Sequence, residues 1–168
     1  MPNLEITQGD ITTFSGDAIV NAANSSLLGG GGVDGAIHKA AGRELVAECV
    51  TLGGCKTGEA KITKGYNLKA KYVIHTVGPI YSKDSAKECK SLLQSCYKKS
   101  LELAEKNNCK SVAFPLISAG VYGYPKKEAL EVAVDMIQRY GKNLKVQIIL
   151  FDKELCEIAQ KNFKNLWK

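Results

Sequence analysis

No apolar run in this chain approaches the roughly 20 residues that a membrane-crossing helix needs, so no spanning helix and no membrane partner are expected. Histidines number two, and none of the six cysteines, Cys49, Cys55, Cys89, Cys96, Cys109 and Cys156, stands in a CxxC pair. A zinc site is therefore not expected, and the cysteines read as scattered free thiols of a reducing compartment. The opening residues lack the basic-then-apolar layout of a secretory signal, which makes a cytoplasmic home the expectation. Arginine clusters, dense basic blocks and interleaved aromatics are also missing. The net charge of +6 comes from lysines spread along the chain. Such a surface favours polyanions in general, but it reads first as solvated lysine faces and only second as a nucleic-acid site. Linkers, repeats and low-complexity tracts are absent. The 168 residues, 45% hydrophobic and 24% charged, are expected to form one soluble domain with a proper core, and a monomer.

What is present is an alternation of two periodicities. Short apolar segments that read as strands fall at Leu4–Thr7, Ala18–Asn21, Ala60–Lys64, Tyr72–Val77, Ser111–Leu116 and Val146–Phe151. Between them lie helical stripes. The clearest is Ala129, Val132, Ala133, Met136, Ile137 and Tyr140, which falls on one helical face. Others cover roughly 34–52, 85–106 and 153–163. Strands alternating with helices of this length predict an α/β fold with a largely parallel sheet covered on both faces. In such sheets ligands bind beyond the carboxyl ends of the strands.

Two glycine-rich loops are expected at that edge. The first follows the strand at Ala18–Asn21. It carries Asn21 and Asn24, then Gly29 to Gly32, and then Asp34, which opens a helix bearing His38 one turn on. Glycine is costly to order, so four in a row before a helix suggest a backbone that approaches a ligand closely. Unpaired N–H groups and the helix dipole make an anion such as phosphate the natural guest. The second loop, Ile117–Pro125, places small residues and Gly120 and Gly123 around Val121 and Tyr122. Together the loops could grip a diphosphate from both sides, each charged N–H···O⁻ bond contributing on the order of 1.5–3 kcal/mol without a metal or a lysine.

Each singled-out residue also has a plain structural reading. Gly30, Gly32 and Gly35 fit the dinucleotide pattern G-x-G-x-x-G, but they lie too far beyond the strand, and no ribose-holding acid ends the next one. Gly53–Thr57 resembles a phosphate loop with Cys55 in place of its second glycine, and reads as a turn. Asp34 could be a helix N-cap, or a base whose basicity rises beside bound phosphate. His38, four residues on, could pack against or bond that carboxylate, or act directly. His75, in the apolar run 72–77, reads as a satisfied core histidine. Asn21 and Asn24 could bond their own turn or meet ribose hydroxyls. Tyr122 could cover a ligand. Phe151 could be core, or a stacking face worth roughly 1–3 kcal/mol to a base. Asp10 looks like a cap that could also accept from an exocyclic amine.

Together these residues resemble the macrodomain family, and within it the MacroD-type branch. The resemblance runs through GDIT at 9–12, NAAN at 21–24, GGGGVDGAIHKAAG at 29–42, YVIHTVGP at 72–79 and FPLISAGVYGYP at 114–125. It implies a three-layer α/β/α sandwich on a mixed, mostly parallel sheet, and ADP-ribose as ligand. By position, it implies Asp10 and Ile11 against the adenine, with Phe151 as stacking ring. The backbone of Gly31, Gly32 and Val33 and the loop of Ser118, Ala119, Gly120, Val121, Tyr122 and Gly123 would enclose the diphosphate. Asn24 and Tyr122 would meet the distal ribose and act in catalysis with Asp34, which matches the acid required for hydrolysis. Asn21 would help to shape that site, and His38 would stand among the substrate-binding residues. The implied activity is release of ADP-ribose from acidic side chains of mono-ADP-ribosylated proteins, or deacetylation of O-acetyl-ADP-ribose, without cofactor, metal or nucleophilic cysteine. The main alternative is a reader that binds ADP-ribose without cleaving it. Two further alternatives are a binder of single-stranded nucleic acid or poly-ADP-ribose, and weak phosphatase action on ADP-ribose-1″-phosphate.

Overall fold

The computed structural model describes residues 3–168. Six strands form one sheet: β1 Leu4–Gln8, β2 Ala18–Ala22, β3 Ala60–Lys64, β4 Tyr72–Thr76, β5 Ser111–Phe114 and β6 Lys145–Leu150. Their order is β1-β6-β5-β2-β4-β3, and every pair is parallel except β3 against β4. Five helices cover it: α1 Gly32–Ala41, α2 Arg43–Leu52, α3 Ala86–Lys106, α4 Lys126–Tyr140 and α5 Lys153–Asn162.

Successive strand residues point to opposite faces, and both faces are apolar, as parallel sheets require. Ile19, Val73, Ala113 and Ile149 pack with Ile37, Leu45 and Cys49 of α1 and α2. Their chain neighbours Val20, Ile74, Val112, Phe114 and Ile148 pack on the other face with Leu93, Tyr97 and Leu101 of α3, Leu130 and Ile137 of α4, and Ala159 of α5. The result is the expected three-layer α/β/α sandwich.

Three expectations need correction. The helical stripe at 34–52 is two helices, because Gly42 takes φ +90 and its N–H closes α1 on the His38 carbonyl at 3.1 Å. That left-handed turn favours glycine, and a Cβ there would lie 2.9 Å from Asn67 Nδ2. Asp34 neither opens nor caps a helix. α1 begins at Gly32 with Gly31 as its cap, which makes no side-chain bond, so Asp34 lies inside the first turn. Phe151 does not end the last strand. β6 stops at Leu150, and Phe151 stands 81% exposed, which removes its reading as core.

Candidate functional site

β2 lies between β5 and β4 in the sheet, so the loops leaving the carboxyl ends of these three strands adjoin one another. The β5 loop is built to hold a fixed shape. Tyr97, wholly buried on α3, accepts a hydrogen bond from the Ile117 N–H at 3.2 Å. Ser118 adopts φ +66, uncommon for a residue with a Cβ, and its hydroxyl donates to the Pro79 carbonyl at 2.9 Å. The Tyr124 N–H returns to the Ser118 carbonyl at 2.9 Å, and the Tyr81 N–H donates to the Tyr122 carbonyl at 2.8 Å. Gly78 makes the approach of the β4 and β5 loops feasible, since a Cβ there would collide with Ser118 Oγ. Val121 is left fully exposed at the loop tip, with Gly120 and Gly123 exposed beside it.

The β2 loop is organised by Asn24. Its Oδ1 accepts from Ser26 N–H at 3.1 Å, Ser26 Oγ at 2.6 Å and Leu27 N–H at 3.2 Å, and its Nδ2 donates to the Gly29 carbonyl at 2.9 Å. This is an Asx-type turn, so the turn reading of Asn24 is the one its contacts display. The turn forces Leu27 to φ +64. Gly31 and Gly32 are exposed at the start of α1, where N-terminal N–H groups lack helical partners. A Cβ at Gly31 or Gly32 would meet nothing within 4 Å, so the space over this N-terminus is open.

Asp34 is buried, at 4% exposure, in the helical turn below that opening. Its Oδ1 accepts from Asn21 Nδ2 at 2.8 Å, and His38 Nε2 lies 3.3 Å from the same oxygen. The latter pair is within ion-pair reach but lacks hydrogen-bond geometry, which leaves His38 Nε2 buried and unpartnered. A Cβ on Gly30 would lie 3.1 Å from Asp34 Oδ2 and 3.3 Å from Asn24 Nδ2. The free carboxylate oxygen and the Asn24 amide therefore converge on the Gly30 backbone.

Behind Asp34 lies a buried polar chain. β2 and β4 pair in a register that sets Asn21 beside His75. Asn21 Nδ2 meets His75 Nδ1 at 3.2 Å, and His75 Nε2 meets Thr63 Oγ1 at 2.9 Å. Burial, reinforced by the nearby His38, drives the His75 pKa down to about 3, so the ring is neutral near pH 7. All six cysteines are free and buried. Burial pushes the Cys49 and Cys96 thiols up to about 11, which does not suit a nucleophile. Among the described residues no group of three or more His, Cys, Asp or Glu side chains could hold a metal ion.

Residues 20–133 match the model of the Macro domain family. The chain is 61% identical over 137 residues to the Macro domain-containing protein mll7730 of Mesorhizobium japonicum, spanning 82% of this chain and 77% of that protein. The chain belongs to the Macro domain family. It is also 53% identical over 163 residues to the ADP-ribose glycohydrolase MACROD2 of Homo sapiens, spanning 96% of this chain but only 37% of that longer protein. A mutant Oceanobacillus iheyensis macrodomain solved with ADPR superposes with a TM-score of 0.90 at 43% identity, covering 97% of this chain and 92% of that one.

In this macrodomain the fold brings Asn24 and Asp34 to Gly30, His38 to Gly29 and Asn21 behind Asp34 on the β2 side, and Ser118–Gly123 onto the adjacent β5 loop. The remaining expected residues lie further along the same sheet edge. Asp10 follows β1 and is exposed, its Oδ1 taken by Thr12 N–H at 2.9 Å and Thr12 Oγ1 at 2.7 Å, so it caps a short 3-10 turn over Ile11–Thr13. Ile11 is buried beneath it, Val33 packs on the α1–α2 core, and Phe151 projects beyond β6. Asn21 is wholly buried, and its amide nitrogen is shared between Asp34 and His75. It lies behind Asp34, out of reach of solvent. Thr63, Tyr97 and Gly78 support the site without having been singled out from the sequence. Their signal lies in strand register and loop proximity, which no local pattern carries.

Proposed function

We propose that this chain hydrolyses ADP-ribosyl esters, releasing ADP-ribose from modified acidic side chains and deacetylating O-acetyl-ADP-ribose. One observation carries the reading: a buried carboxylate, with one oxygen held by Asn21 and the other directed at Gly30, lies beneath an open helix N-terminus flanked by a second shaped loop. Support also comes from the similarity to a protein named ADP-ribose glycohydrolase and to a macrodomain solved with ADPR. The diphosphate would take N–H bonds from Gly31–Val33 and from the loop at Ser118–Val121. This anchoring sets the distal ribose over Gly30, between Asn24 and Tyr122. A water ordered by Asp34 Oδ2 then attacks the ester. Its oxygen bonds to the ester carbonyl carbon while its proton passes to Asp34 or to a phosphate oxygen. The bond from that carbon to the ribose oxygen breaks, and the departing ribose oxygen takes up that proton, leaving a ribose hydroxyl and a free carboxylic acid.

The Asp34→Ala variant tests this. Positioned acid–base groups contribute typically about 10²–10⁴-fold, so turnover of mono-ADP-ribosylated protein and of O-acetyl-ADP-ribose should fall by at least about 100-fold. ADP-ribose binding, measured by calorimetry, should persist. Undiminished turnover by a folded Asp34→Ala protein would refute the role of Asp34. Tight ADP-ribose binding by a wild type that releases nothing would identify a reader instead.

A further inference from the structure

Asn21 is held by its nitrogen alone. Its Nδ2 donates to Asp34 Oδ1 and faces His75 Nδ1, while its Oδ1 is buried without a partner. Two hydrogens on one nitrogen serve two acceptors only if His75 Nδ1 carries a lone pair. The single proton of the neutral ring then belongs on Nε2. The acceptor it meets there is Thr63 Oγ1 at 2.9 Å, with the Cys49 sulfur more distant at 3.8 Å. Were Thr63 to donate instead, the His75 proton would move to Nδ1 and oppose the Asn21 amide. Every link therefore has one consistent direction: Asn21 donates to Asp34 and to His75, and His75 donates to Thr63.

We infer that His75 is a positioning residue, which Thr63 fixes as the Nε2–H tautomer so that its Nδ1 locks the Asn21 amide with its nitrogen toward Asp34. Turned the other way, the Asn21 carbonyl oxygen would abut the carboxylate and push it off Gly30. The lock keeps Asp34 Oδ1 engaged and leaves Oδ2 as the oxygen presented to the ribose. Its kinetic consequence rests on the hydrolase reading above, whereas the tautomer does not.

Two measurements test it. The first is ¹H–¹⁵N correlation of the imidazole rings in the wild type. His75 is expected as the neutral Nε2–H tautomer from about pH 5 to about pH 8, and an Nδ1–H or charged ring would overturn the inference whether or not the protein turns over substrate. The second is kinetics on mono-ADP-ribosylated protein. His75→Leu is expected to lower kcat on the order of tenfold with KM within about twofold. His75→Asn, whose carbonyl can take the place of Nδ1, is expected to recover most of that loss. Thr63→Val keeps the shape, loses the acceptor and should also lower kcat, so it carries the kinetic arm if His75→Leu fails to fold. A folded Thr63→Val or His75→Leu protein with wild-type kcat, or a His75→Asn variant no better than His75→Leu, would overturn the inference. If the wild type shows no turnover, the hydrolase reading fails, and the ring tautomer alone decides whether the positioning chain exists.

Discussion

Lowering the pH from about 7 to about 4 charges His75 in the unfolded chain well before it charges the ring in the fold. The ordinary pKa is 6.5, and burial holds the folded value at about 3. Between those values the unfolded state binds a proton that the native state refuses, so stability falls as pH drops through that window and is intact above it. Each pH unit removes about 1.4 kcal/mol, so the fold should lose on the order of 3 kcal/mol at about pH 4 from this one ring. That is a large share of a total stability of about 5–15 kcal/mol. The assay is urea unfolding at stepped pH for the wild type and for His75→Asn, which cannot titrate. The two proteins differ at this position alone, so the comparison isolates the ring. The wild type should lose about 3 kcal/mol more than the variant over this range. Parallel curves would refute the reasoning, because they would show the ring accepting a proton inside the fold.

Other consequences are equally specific. Tyr97→Phe strands the Ile117 N–H in the core, which should cost about 1–3 kcal/mol and lower Tm by several degrees in a thermal melt. Gly78→Ala drives a methyl into Ser118 Oγ and within 2.7 Å of the Ile117 side chain, separating the β4 and β5 loops. Calorimetry should then report ADP-ribose affinity weakened on the order of tenfold, and an unchanged affinity would remove the β5 loop from the site. Phe151→Ala should leave Tm unaltered, since the ring is 81% exposed. If the ring stacks on adenine, the variant should weaken ADP-ribose binding by about 1 kcal/mol or more, roughly fivefold.

Much of this architecture is legible in the chain because its signals are local. The strand Ala60–Lys64 coincides with its apolar segment, and α4 begins at Lys126 directly after Pro125, as the stripe through Ala129 and Tyr140 implies. Gly42 escaped notice because the apolar stripes of α1 and α2 run on across the break, and only the tertiary approach of Asn67 reveals why glycine stands there. Asp34 looks like a cap because aspartate usually is one. Gly31 can start the helix bare, which frees Asp34 to turn inward to Asn21. His75 does read as a satisfied core histidine. Its partner, however, is set by the parallel register of β2 and β4, and the antiparallel β3 brings Thr63, distant in sequence from both Asn21 and Asp34, to its other side. Such pairings depend on how strands line up, which alternating apolar residues on both faces leave open.

The most direct test of the account is a crystal structure of the Asp34→Ala variant with ADP-ribose. The account predicts the diphosphate against the main-chain N–H groups of Gly31–Val33 and Ser118–Val121, with the distal ribose over Gly30 beside position 34. A diphosphate bound elsewhere, or a distal ribose turned away from position 34, would contradict it.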